Sequence, residues 1–224
     1  MAYILYPDII ERHYLMKYLF FDIEGASPKL STIATFGYVL TDTEFNVIER
    51  DDILMNPDSK YDWYVLKHLL SYTKAELSQK PKFNEHFMRI QALIEDNDTL
   101  VCGYSISNDL KYLNSECKRY DLPSLDFSFL DVQTLTDRFF ESKNQIGIER
   151  AFSMLGIEDS ILLHRSDEDA LATMKVAKAV CEKNASSLTD LSKVFVCTGK
   201  NKNYSFTNDN AAQHSINMIH HNIA

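Results

Sequence analysis

Residues 18–26 read YLFFDIEGA, an apolar and aromatic run that ends in two acids, Asp22 and Glu24, set one residue apart. The run from residue 17 to 24 has the composition of a strand buried on both faces. Side chains alternate along a strand, so Asp22 and Glu24 point the same way. Such a pair has two readings. The strand is surfacing, or its end is a clamp for a hard cation, because Mg²⁺ prefers carboxylate oxygens. The pair alone is a weak signal, and the rest of the chain decides.

Working outward, STIATFGYVLT (residues 31–41) alternates as a strand with two partly buried faces, and NVIERDDILMNP (46–57) is a third strand candidate closed by Asn56-Pro57. Short gaps between the three runs suit antiparallel neighbours. The pattern then changes. YDWYVLKHLL and NEHFMRIQALIE have helical spacing, with Phe87, Ile90, Leu93 and Ile94 on one face. TLVCGYS is a short apolar strand. NDLKYLNSECKRYDLP is a helix that aligns Leu110, Leu113, Cys117 and Tyr120 and stops near Pro123. DFSFLDVQ is a strand, and GIERAFSMLGI and SDEDALATMKVAKAVCEK are helices, the last with Ser166 in an N-cap position. A three-strand meander followed by strand–helix alternation predicts an α/β protein with helices packed on a mixed sheet.

Bulk properties bound the function. The 224 residues are 45% hydrophobic and 25% charged, enough for one sizeable domain with its own core. Cys102, Cys117, Cys181 and Cys197 form no CxxC pair, which argues against a zinc ribbon or disulfide framework and fits a reducing, cytoplasmic setting. The first 16 residues carry acids and a proline where a signal peptide needs an unbroken apolar stretch. No segment approaches the roughly 20 apolar residues of a membrane helix. A net charge of −9 and a pI near 5.2 disfavour a protein that coats nucleic acid, since phosphate contacts need basic surface. They leave room for a nuclease whose bound metal supplies positive charge locally.

Three further positions join the first pair. Asp109 follows the strand TLVCGY in the first turn of its helix, where acids also complement the helix dipole. Asp169 stands three residues after Ser166, a capping-box spacing, and His164 lies five residues before Asp169. Each has an ordinary structural explanation by itself. Together, at successive strand ends and helix starts, they can converge at one end of a sheet. Four carboxylates gathered there repel one another. Two divalent ions about 4 Å apart relieve that repulsion, and such a pair serves phosphodiester cleavage.

These stretches, FDIEGA, GYSISNDLKYL and HRSDEDA in that order, resemble the three motifs of the DEDDh branch of the DnaQ-like 3′–5′ exonucleases, over about residues 17 to 183. The resemblance implies an RNase H-like fold: a five-stranded mixed sheet, its first three strands antiparallel, flanked by helices. It implies that Asp22, Glu24, Asp109 and Asp169 hold two Mg²⁺ or Mn²⁺ ions and that His164 is the general base. It further implies a single-stranded DNA or RNA 3′ end as substrate. The motifs depart from the family in places. Gly25-Ala26 stands where a Thr often follows the Glu, Tyr104-Ser105 replaces a common His-Asn, and Asn108 replaces a Phe. Gly25, Ala26, Tyr104 and Asn108 are thus the candidate substrate contacts. Asp131 reads as a structural acid near the site. Tyr61, Trp63 and Tyr64 read as a packing face, with base stacking as the alternative.

The expected organisation is an N-terminal extension (1–16), an exonuclease domain (17–183) and a C-terminal extension (184–224). The last is polar, rich in Asn, Ser and Thr, and partly ordered at best. It is a docking candidate for a polymerase-type partner or a second copy. His220 and His221, adjacent on the chain, read as solvated tail rather than ligands. The competing function is a non-catalytic binding module on the same fold.

Overall fold

The computed structural model describes residues 16–30, 32–159, 165–195, 197–201 and 205–206. His164, His220 and His221 lie outside them. The quoted stretch is β1 (Lys17–Gly25), with β2 (Ile33–Thr41) antiparallel on one side and β4 (Thr99–Gly103) parallel on the other. β3 (Val47–Leu54) pairs antiparallel with β2 and forms one sheet edge. β5 (Ser128–Asp131) is parallel to β4.

Alternation along β1 divides the core. Tyr18 and Phe20 face one side, with α5 (Val132–Phe139), α6 (Ile148–Leu155) and α7 (Ser166–Asn184) packed over them. Leu19, Phe21 and Ile23 face the other, under α3 (Phe83–Ile94) and α4 (Ser107–Arg119). Phe21 and Phe36 stack there at 5.2 Å between centroids. Every residue of β2 is buried, so the faces expected to be partly buried are fully covered. Burial of a large apolar side chain contributes about 1.5–3 kcal/mol. A one-residue slip of β1 would turn Tyr18 and Phe20 to the wrong face, and the core therefore pins the register that aims Asp22 and Glu24 toward α7.

Two short helices, α1 (Trp63–His68) and α2 (Lys74–Leu77), follow β3. Asp62 caps α1 by accepting from the N–H groups of Tyr64 and Val65, and its own N–H donates to Ala26 O at 2.9 Å, which ties α1 to the end of β1.

The sheet continues beyond the expected five strands. α8 (Leu188–Val194) buries Leu188 and Leu191 beside α7, β6 (Thr198–Lys200) pairs antiparallel with β5, and the two-residue β7 (Ser205–Phe206) pairs with β6. The order is β3-β2-β1-β4-β5-β6-β7. Among the described residues no helix is long and apolar enough to cross a membrane.

Candidate active site

The end of β1, the first turn of α4 and the first turn of α7 meet at one end of the sheet. Carboxylate oxygens of Asp22, Glu24 and Asp169 lie within 4.8 Å of one another. Asp109 is buried beside them and accepts a hydrogen bond from the Ile23 N–H, between the two acids of β1. That N–H is available because the β1–β4 ladder ends at Phe20 and Cys102. Asp131 acts from behind: its carboxylate caps α5 by accepting from the Thr134 N–H at 3.0 Å and also receives the N–H groups of Ser105 and Ile106. It holds the turn that carries Asp109, where Ser105 is left-handed with φ 55°.

Burial, then the charges of Asp109, Asp169, Glu24 and Asp52, push the Asp22 carboxyl well above the usual range. Burial, with Asp169 and Asp52, pushes Glu24 up to about 8. Burial also raises Asp109, against the lowering effect of its backbone hydrogen bonds. Among the described residues no Lys or Arg pairs with Asp22 or Glu24. An all-oxygen donor set this crowded fits hard divalent cations, which would hold these groups ionised.

A cleft of about 380 Å³ opens beside the acids and is lined by Asp22, Glu24, Gly25, Tyr104, Asn108 and Asp109, among others. A Cβ at Gly25 would come within 2.8 Å of the Tyr112 ring, whose hydroxyl donates to Ser27 O at 2.8 Å, so a larger residue there would have to displace that ring. Ala26 turns away from the cleft: its side chain is buried and its N–H donates to Thr32 O at 2.7 Å, so neither is open to a ligand. The Tyr104 hydroxyl donates to Ile146 O at 2.7 Å and presents its ring to the cleft. Asn108 is exposed.

Two expectations need correction. Trp63 and Tyr64 do not pack. They are 69% and 59% exposed on α1, whose Val65 and Leu69 side lines the cleft; only Tyr61 packs, against Ala26, Ala34 and Leu77. A six-residue helix has room for one buried face, and Val65 takes it. Ser166 is not the cap of α7. Arg165 holds that position without a side-chain bond to the backbone of the first turn, its Nε donating instead to Asp167 Oδ1 at 3.2 Å, and the Ser166 hydroxyl points into the sheet toward Thr35 and Asp52. Asp52, whose charge reaches both Asp22 and Glu24, was not legible in the sequence: its place opposite Gly37 depends on the β2–β3 register.

A mixed sheet flanked by helices, with acids gathered where a strand and two helices meet, defines an α/β protein of the RNase H-like nuclease type. Residues 19–177 match the RNase_T exonuclease family, and the chain belongs to that family of hydrolases. Solved structures share the fold. A 3′-exonuclease described with the 3′-end recognition of a histone mRNA stem-loop is 13% identical over 78% of this chain and 85% of its own, with TM-score 0.67. The nuclease domain of 3′hExo, described as a DEDDh family member bound to rAMP, is 15% identical over 76% and 94%, with TM-score 0.65. E. coli exonuclease I with a dT13 oligonucleotide is 22% identical over 81% of this chain but only 44% of its own, with TM-score 0.65. No curated protein matches in sequence.

Proposed function

We propose that the chain is a divalent-metal-dependent 3′–5′ exonuclease acting on single-stranded DNA or RNA ends. The observation that carries this is the convergence of Asp22, Glu24 and Asp169 within 4.8 Å beside an open cleft. In this reading Asp22, Glu24, Asp109 and Asp169 hold two ions, Mg²⁺ or Mn²⁺, which when bound supply Lewis-acid charge at the phosphate. Asp22 is the central ligand, since it feels Asp109, Asp169 and Glu24 together. Asp109 is kept in place by the Ile23 N–H. The imidazole of His164 takes a proton from the attacking water, a role suited to a group that titrates near neutrality.

The cleft wall handles the terminal nucleotide. Gly25 keeps the floor low, the Tyr104 ring offers a flat surface, and the exposed Asn108, whose Oδ1 accepts from Lys111 Nζ at 3.3 Å, turns its amide N–H groups to a polar edge. Trp63 and Tyr64 give upstream bases a stacking surface, and Lys67, 4.9 Å from the Trp63 ring centre, adds positive charge. The ligands named for the related structures, dT13 and the 3′ end of an RNA stem-loop, support a 3′-end substrate. The four free, buried thiols suit a reducing cytoplasm. Matched DNA and RNA oligomers labelled at the 5′ end, incubated with and without Mn²⁺, test the proposal. A ladder shortening from the 3′ end supports it and names the sugar. Internal cuts would reassign the chain as an endonuclease, and retention without cleavage would favour a binding module.

A further inference from the structure

One row of opposed residues crosses the first three strands: Asp22, Gly37 and Asp52. Directly opposed residues of antiparallel strands project to the same face, so two acids flank a glycine on the side that α7 covers. A Cβ at Gly37 would overlap the backbone of Ser166 and Asp167, which shows that the first turn of α7 sits down into this gap. Asp52 then grips the helix. Its Oδ1 lies 2.8 Å from Ser166 Oγ, and that hydroxyl, fully buried, lies 2.7 Å from Thr35 Oγ1. The other Asp52 oxygen accepts from the Tyr72 hydroxyl at 2.7 Å. Two residues earlier on β3, Arg50 donates to Asp167 from Nε at 2.9 Å and reaches Glu168 Oε1 at 2.5 Å. Asp169 is the next residue along the helix.

We propose that Asp52 is a positioning residue: through Ser166 it sets the depth and rotation of the first turn of α7, and so places Asp169 against Asp22 and Glu24. The inference rests on the proposed metal site. Asp52 stands outside the group of converging carboxylate oxygens, which is made by Asp22, Glu24 and Asp169, and its own oxygens meet the hydroxyls of Tyr72 and Ser166. Placement is separable from charge and from general stability, because Asn keeps an oxygen that accepts from Ser166 and Ala does not.

The test is calorimetric titration of the metal-free full chain with Mn²⁺, run beside thermal melts and steady-state kinetics on a single-stranded oligomer. Asp52→Ala is expected to weaken Mn²⁺ binding by at least about tenfold, the scale seen when an outer-shell partner of a metal ligand is removed. It should lower kcat and leave KM for the oligomer little changed. Asp52→Asn restores most of the affinity. Ser166→Ala reproduces the loss, and the double Ala variant is no worse than either single one, as expected of two groups acting through one contact. Wild-type affinity in Asp52→Ala with only a lower melting temperature would reduce Asp52 to stability alone. An Asn variant as weak as Ala would make charge, not placement, its role. Either result overturns the proposal. A wild-type chain that binds no Mn²⁺ overturns the metal site itself, and this inference with it.

Discussion

At the scale of single residues, Glu24 makes the clearest statement about pH. Its folded-state value of about 8 lies above the ordinary 4.5 because of burial and the charges of Asp169 and Asp52. An acid raised in this way favours the folded state while protonated, and that contribution is lost as pH climbs from the unfolded value toward the folded one. The metal-free chain should therefore melt at progressively lower temperature between about pH 5 and about pH 8. Glu24→Gln should flatten this fall, and Mn²⁺ should reverse it at the alkaline end. An identical slope in the Gln variant would contradict the placement of Glu24. Trp63 makes a different statement. At 69% exposure it contributes little to the core, so Trp63→Ala should leave the melting temperature almost unchanged. It should raise KM for single-stranded oligomers by roughly 5- to 150-fold, the equivalent of about 1–3 kcal/mol of base stacking. An unchanged KM would remove α1 from the substrate path.

At the scale of elements, α7 depends on a missing side chain. Gly37→Ala must push Ser166 and Asp167 off the sheet, and overpacking of this kind costs about 1–3 kcal/mol. The denaturant midpoint should drop accordingly, and activity should fall further than stability because Asp169 moves with its helix. The same element shows what the sequence discloses. The apolar run of residues 17–24, the alternation in residues 31–41 and the helical spacing in residues 84–95 are tertiary demands written locally, and with the Ser-led run 166–183 they yielded β1, β2, α3 and α7 close to their observed limits. The convergence of Asp22, Glu24 and Asp169 was inferable because strand ends and helix starts in an alternating α/β chain point to one edge. Ser166 was misread because an Asx- or Ser-type cap and a buried hydroxyl look alike until the partner strand is known. Asp52 was hidden for the same reason. β6 was missed because three residues, Thr-Gly-Lys, are too few to show any period.

At the scale of the whole molecule, the central position of β1 decides the rest. Flanked by β2 and β4, it is the strand that can bring acids from its own end together with acids from α4 and α7. The segment after Asn184 contributes to the same body, since Leu188, Leu191 and Cys197 are buried in the core beneath α7 and β6 extends the sheet beyond β5. Truncation after Asn184 exposes that face, and at about 1.5–3 kcal/mol for each large apolar side chain it should lower stability by several kcal/mol. Unfolding of the truncated chain by urea measures it. A midpoint equal to that of the full chain would show the segment to be an appendage. The claim to which all of this leads is that acids gathered at the end of β1 make the chain a metal-dependent 3′ exonuclease. The most direct measurement compares wild type with Asp22→Ala on a 5′-labelled single-stranded oligomer, in Mn²⁺ and in chelator. The expected result is stepwise 3′ shortening by the wild type in Mn²⁺ alone, with none by Asp22→Ala although that variant folds. Equal cleavage by the two proteins, or cleavage by the wild type that persists in chelator, would contradict it.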